Sequence, residues 1–474
     1  MIATAVLLMA MVFAGAASAT GNITISNATG STELSGAPVG TVVYGDYGQA
    51  TNGTLKLVQI GSETQPWILE LNNFTVRNTG TSIINVTDIC DVKIVLKGTS
   101  DLMGNFSSFR REGLINSFGN LTITTEGSDG TLIVNNTAPG QYSFVRTVRS
   151  TKNITIASDA EVTAIADNYG DRGRADAILA EQGVTIAGEN TVVKATATSK
   201  SSSAYSIYAY TTIDICLTKN VMATAESRGD QMMAYGLCAE TGNITISDHA
   251  NVTATATATN TNGCAYALSS YNGGVTVSDH AKVTATATAT NAEGFAYVLY
   301  SSGIDGDILI ESDAKVTAIA TVTGVSSSAH AIHTSYFGGD VTIASGANVA
   351  VTATATNASS YSCAITTSYG AVTIDSGANV TATATATDTD SKAYVISIAY
   401  SDEPLTISNQ AKVTATAIAS NTDSAAKTIN TNSGDLRILS GAAVTAVAAG
   451  NQSASSLVSD SANIIIENAS TVET

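Results

Sequence analysis

The sequence predicts an all-β fold, a right-handed parallel β-helix with three strands in each coil of about 31 residues. Three observations carry this. Residues 244–274 read ITISDHANVTATATATNTNGCAYALSSYNGG, and residues 275–307 repeat them as VTVSDHAKVTATATATNAEGFAYVLYSSGIDGD. The opening run recurs at Ile154, Val184, Ile213, Ile244, Val275, Ile308, Val341, Val372, Leu405, Leu436 and Ile464, at intervals averaging 31 residues. The runs inside each unit alternate with period two and keep no helical 3,4 spacing.

Each unit holds three apolar-patterned runs. The first is short, as in Ile244-Thr245-Ile246, and ends at the turn Ser247-Asp248-His249-Ala250. The second, Val252 to Ala258, alternates strictly. A polar loop over 260–263 leads to the third, Ala265-Tyr266-Ala267-Leu268, and Asn272-Gly273-Gly274 closes the unit. Alternation places Val and Ala of the middle run inside and Thr253, Thr255 and Thr257 outside, stacked on Thr284, Thr286 and Thr288 and, further along, Thr381, Thr383 and Thr385. β-Branched side chains suit the pleat because their restricted χ1 fits it.

Residues 1–19, MIATAVLLMAMVFAGAASA, read as a secretory signal peptide with Ala17-Ser18-Ala19 as the cleavage site, although no basic residue precedes the apolar run. Residues 20–150 use the same pattern less regularly, with opening strands at Ile68-Leu69-Glu70-Leu71, Val92 to Leu96 and Leu121 to Thr124, and are expected to be the first coils of the same helix with longer loops. Residues 151–474 form the regular Thr/Ala-rich array. Terminal coils expose unpaired backbone, so Asn22-Ile23-Thr24-Ile25 and Asn463 to Asn468 are expected to be open edges through which copies associate end on.

The 39 acids and 21 bases give a net charge of −18, which disfavours nucleic acid and anionic lipid as partners. The five cysteines, Cys90, Cys216, Cys238, Cys264 and Cys363, are odd in number and lack metal-ligand spacing. Cys264 and Cys363 fall three coils apart, roughly 14 Å by coil rise and too far for a disulfide. They are expected to be free and mostly buried, with an intermolecular bridge as the alternative.

The stretches DVKIVLKGTSDLMGN (91–105) and GLINSFGNLTITTEGSDGTLIVNN (113–136) resemble the coils of secreted parallel β-helix surface proteins of bacteria and methanogenic archaea. These include adhesin-like, sheath-type and pectin-binding proteins of pectate-lyase-like architecture. The resemblance covers about residues 68–160 in wording and the later coils only in pattern. It implies the fold and a place outside the cell, and it carries over no ligand residue.

Asp248 and Asp279 align in adjacent coils, but Ser312 follows and no basic residue accompanies them, so the roles a catalytic site requires are unfilled and no enzyme is expected. With His249 and His280 the same aspartates offer a weak candidate for a divalent metal, against the plain reading of a solvated turn. Tyr205, Tyr235, Tyr266, Tyr297 and Tyr394 form a column with His330 and Cys363; strict alternation puts it on the face of Leu268 and Ile396, inward or at the rim. If exposed, it would be a candidate sugar platform. Fifteen Asn-x-Ser/Thr sequons are candidate glycosylation sites: Asn22, Asn27, Asn52, Asn73, Asn85, Asn105, Asn120, Asn135, Asn153, Asn243, Asn251, Asn357, Asn379, Asn451 and Asn468.

The expected function is that of an extracellular structural protein of the cell envelope, of surface-layer, sheath or adhesin type, that associates with itself. One alternative is a carbohydrate-binding β-helix that takes acidic polysaccharide through calcium, with no other cofactor; polysaccharide or other envelope proteins are the expected partners besides the chain itself. A second is ice binding through the outward Thr rows.

Overall fold

The computed structural model describes residues 23–473 apart from 28–29, 35–36, 45–52, 63, 79, 88, 109–111, 140–142, 260, 305, 336–338, 422 and 468–469. The signal-like stretch 1–19 lies outside the described residues. These hold strands and no helix, and therefore no helix long and apolar enough to cross a membrane. From Ile154 onward all eleven opening strands begin where the repeat places them, and each pairs in parallel with the opening strand of the next coil. The middle strands do the same, for example Asn251–Ala258 against Lys282–Ala289 in register throughout. The third strands build a separate fifteen-stranded sheet along the stack. The protein is a β-solenoid with roughly 31 residues per turn.

Register explains the interior. Val252, Ala254, Ala256 and Ala258 are fully buried, stacked on Val283, Ala285, Ala287 and Ala289, while Thr253, Thr255 and Thr257 between them are half-buried on the outer face. The core is one continuous column of such residues, walled on a second side by pairs such as Ile244 and Ile246. Small side chains are required because facing sheets stand close and every layer carries the same residue.

The turn between first and middle strands is fixed by its backbone. Asp248 and His249 both adopt positive φ, 51° and 63°, and Ala250 N donates to Ser247 O at 3.0 Å. Two central residues at positive φ favour Asp, Asn or Gly. The same pair of positions holds Asp279 and His280, Ser312 and Asp313, and Ser376 and Gly377. The corner before each first strand is a side-chain ladder. Asp91 Oδ1 accepts from Asn120 N and Nδ2 (3.0 and 2.9 Å), Asn120 Oδ1 from Asn153 N and Nδ2 (3.2 and 3.0 Å), and Asn153 Oδ1 from Gly183 N (2.8 Å).

Two expectations are corrected. The N-terminal strand is not an open parallel edge: Ile23–Asn27 pairs antiparallel with Gly30–Glu33 on one side and with Ile84–Val86 on the other. Val42–Tyr44, Thr54–Gln59 and Trp67–Asn72 are likewise antiparallel neighbours, so parallel coiling begins only where Trp67–Asn72 meets Val92–Gly104. These antiparallel strands lie over the first coil and bury Leu55, Leu57 and Trp67. The second correction is the tyrosine column, whose side is reversed by the third strand. Ala265, Ala267 and Leu268 all belong to the core, whereas Tyr266 belongs to a separate outer cluster. Ala267 drops out of the ladder between Tyr266↔Tyr297 and Leu268↔Leu299, and its counterparts do so in the neighbouring coils. An unpaired residue lets two consecutive side chains point the same way, as in a bulge. Period-two counting fails at that step, and Tyr266 faces away from Leu268.

Inside and outside of the middle strand can be tested directly. Ala256→Phe should lower stability by about 1–3 kcal/mol through overpacking, while Thr255→Val should leave the thermal midpoint nearly unchanged. Melting followed by circular dichroism measures both, and reversed costs would shift the register by one residue.

Candidate functional site

The outer face of the third sheet is the most chemically varied surface. Two columns face outward there, because two positions three residues apart in each third strand from Val145–Ser150 onward, such as Tyr266 and Ser269, lie outside the core. One runs Arg146, Asp176, Tyr205, Tyr235, Tyr266, Tyr297, His330, Cys363, Tyr394 and Lys427. The other places Arg149, Leu179, Tyr208, Cys238, Ser269, Tyr300 and His333 side by side.

Stacking dominates the middle of the face. Ring centroids lie 4.6 Å apart for Tyr205 and Tyr235, 4.9 Å for Tyr235 and Tyr266, 5.2 Å for Tyr266 and Tyr297, and 5.1 Å for Tyr297 and His330, all close to parallel. Tyr235 and Tyr271 share a hydroxyl–hydroxyl hydrogen bond. Tyr235 is 1% exposed and Tyr266 8%. Each ring face is spent on the next ring, leaving edges, so the column offers a sugar no open face to stack on. Burial raises the phenol pKa values of Tyr235 and Tyr266 well above the ordinary range, keeping them protonated.

At its N-terminal end the face turns ionic. Arg146 Nε donates to Asp176 Oδ2 at 2.7 Å, and Arg174 Nε donates to Asp176 Oδ1. The Arg174 guanidinium lies 3.7 Å over the Tyr205 ring and 5.0 Å from that of Tyr208. Burial opposes charge on both arginines. It pulls Arg146 below its ordinary value, whereas Asp176 and the neighbouring tyrosines hold Arg174 above its own. Arg149 donates to Asn116 Oδ1 at 2.8 Å and to Glu181 Oε1 at 2.6 Å. An open cleft of about 370 Å³ is lined by Arg146, Arg174, Leu179, Glu181, Tyr208 and Tyr210. Sequence reasoning missed this cluster. Extending the tyrosine column two coils toward the N-terminus would have reached Asp176 and Arg146.

The other candidates are placed as follows. The Thr ladder forms the outer face of the middle sheet; between Thr253 and Ala449 its three columns carry Thr, interrupted by Ala350, Ile319, Ile418 and Val447, and no charged side chain. His249 and His280 stack at 4.9 Å, and Asp248 and Asp279 accept from their own neighbours Ser247 and Ser278. Among the described residues no group of three or more His, Cys, Asp or Glu is placed to hold a metal ion; the aspartates and histidines are turn formers. Cys90, Cys238 and Cys363 are buried, Cys216 and Cys264 half-buried, and no two of them are joined in a disulfide.

The sequons follow from the coil itself. Asn120, Asn153 and Asn243 stand at the corner before a first strand whose next-but-one residue, Thr122, Thr155 or Thr245, faces outward; Asn251 and Asn379 open middle strands with the same alternation. Asn120 and Asn153 spend their amides on the corner ladder, Asn85 accepts from Asn116, and Asn357 donates to Thr323 O. Asn73, Asn105, Asn153, Asn243, Asn379 and Asn451 are exposed, and Asn135 is half-buried. Asn27 ends the first strand; Asn22, Asn52 and Asn468 lie outside the described residues.

Compared with protein-family models, curated proteins and solved structures, the chain matches none.

The outer face contains a pH-sensitive element. His330 and His333 are buried, and neither Nδ1 has a hydrogen-bond partner. Burial lowers His330 well below 6.5 and His333 to about 3. The unfolded chain protonates both near pH 6.5 while the folded chain does not, so this stability is intact above pH 6.5 and is lost as pH falls toward 3. Each histidine should cost up to roughly 1.4 kcal/mol per pH unit in that range. His330→Tyr, which restores the column's commonest residue, should about halve the drop in melting temperature between pH 7 and 5. An unchanged drop would remove the histidines as its cause.

Proposed function

We propose that this is a structural protein of the cell exterior that associates with itself, its last described coil offering an edge for the contact. The observation that carries the reading is the contrast between the first and the last described coils. The solenoid has no edge along its sides, and antiparallel strands cover its N-terminal end. At the other end Ser453–Ser459, Ile464–Ile466 and Thr471–Glu473 each pair on one side only among the described residues. Ile464 and Ile466 are 44% and 50% exposed, where their counterparts Leu436 and Ile438 are fully buried. An apolar strand edge of this kind is a template for pairing with another chain. Two such coils meeting across a two-fold axis would bury both apolar ends and close the assembly.

The regular shape, the acidic surface and the export signal read at residues 1–19 support a place in the envelope. The sugar-platform version of the polysaccharide reading loses its support, since the tyrosine faces are already stacked on one another.

Light scattering over a concentration series tests the assembly. The unaltered chain should form a dimer, and electron microscopy should show rods doubled in length. The pair Ile464→Lys with Ile466→Pro should hold it monomeric with an unchanged circular dichroism spectrum. A chain that stays monomeric at every concentration would refute the reading.

A further inference from the structure

The outer face of the middle sheet is uncharged over a long stretch of an acidic chain. Its three columns between Thr253 and Ala449 hold no ionic side chain, while the chain as a whole carries a net −18. Stacking does not demand this, since the adjoining coils toward the N-terminus place Glu226 on the column of Thr257 and Lys194 on that of Thr253. Where threonine is missing, Ile319, Ala350, Ile418 and Val447 take its place. A face that only had to stay wet would accept Ser, Asn or a charge there as readily. Ile319 and Ile418 are 38% and 37% exposed. Strands of eight residues build the face, from Asn251–Ala258 through Lys282–Ala289, Lys315–Val322, Asn348–Ala355, Asn379–Ala386 and Lys412–Ala419 to Ala443–Gly450. At coil and residue spacings of about 4.8 and 3.3 Å they cover roughly 34 Å by 26 Å, about 900 Å². A stable pair of chains needs about 800 Å² from each.

We propose that this face binds the same face of a second copy of the chain, the two rods lying side by side. Small identical side chains repeated in register on two facing sheets interdigitate into a dry interface. Threonine hydroxyls donate and accept, so those of facing rows satisfy one another. A two-fold axis parallel to the rods lays each coil over its own copy with the strands reversed. It brings the exposed Lys282 and Lys412, at the start of their strands, to the side of Glu293 and Asp423 of the second copy, exposed in the turns that follow the same strands. Rim pairs of this kind set orientation more than strength. A single such face per chain closes the assembly at two. Aligning two acidic rods along their length sets their net charges against each other, so the contact is opposed at low ionic strength and released near about 1 M salt, where the screening length is roughly 3 Å. An end contact brings little of that charge together. The face is therefore separable from the edge of the last described coil, and neither proposal rests on the other.

The chain carrying Ile464→Lys and Ile466→Pro, with its end contact removed, isolates the face. Sedimentation velocity and small-angle scattering should find a monomer in about 10 mM sodium chloride and a dimer in about 1 M. The dimer should have a widened cross-section and an unchanged length. Adding Ile319→Glu and Ile418→Glu, at exposed positions outside the core, should weaken the dimer at least about tenfold, because a carboxylate would be enclosed without a partner. Circular dichroism establishes that this variant is folded. A chain that stays monomeric in high salt up to roughly 100 μM would overturn the proposal. So would a dimer of doubled length, growth beyond two chains, or a folded glutamate variant that pairs as before.

Discussion

In-register parallel stacking is the constraint on which the rest of the structure depends. The neighbour of any residue, above and below, is the residue at the same place in the adjoining coil, about 4.8 Å away. Whatever a position holds must therefore tolerate itself. Alanine on alanine fills a narrow interior, as at Ala254, Ala285 and Ala318. Asparagine on asparagine makes a ladder, because an amide both donates and accepts. Carboxylate on carboxylate repels. The aspartates of the first turn form a broken column: Asp248 and Asp279 give way to Ser312, and His280 meets Asp313 across coils at 3.7 Å. The three Thr columns from Thr253 onward carry no charge, although Lys282 and Lys315 stack in register at the exposed edge of the same face.

Stacking also concentrates the cost of ending. An interior coil satisfies its backbone through two neighbours, whereas a coil at the end of a stack has one. The N-terminal end meets this by reversing direction, so that Ile23–Asn27 and Thr54–Gln59 run antiparallel and cover the first coils. The last described coil keeps the parallel direction and leaves three strands paired on one side. The proposed assembly follows from that difference, since free backbone groups and exposed isoleucines are most readily satisfied by another strand edge.

The third sheet differs because each of its strands from Val145–Ser150 onward contains a residue outside the ladder. That step turns two positions three residues apart outward, gives the protein a second, aromatic layer beyond the core, and lets ionic groups collect at one end of it. Arginine succeeds there where a column of like charges would fail, because Asp176 stands between Arg146 and Arg174 and Tyr205 takes the far side of the Arg174 guanidinium.

The sequence by itself determined the coil. Eleven opening strands, the Thr and Val/Ala faces of the middle strand and the stacked turns were legible because a period-two pattern repeated every 31 residues or so leaves a single in-register solution. Only the tertiary structure decided which way the tyrosines face. Alternation holds until a residue leaves the ladder; the recurring pairs Ala267-Leu268 and Val395-Ile396, two apolar residues in succession, were the one local trace of that step. The Arg146–Asp176–Arg174 cluster was hidden for a related reason. Arg146 and Asp176 are 30 residues apart in the less regular coils, and only the pairing of their strands brings them onto one column. The antiparallel N-terminal strands were hidden as well, because β-propensity and alternation are the same in either direction, and strand direction is set by the partner rather than by the strand.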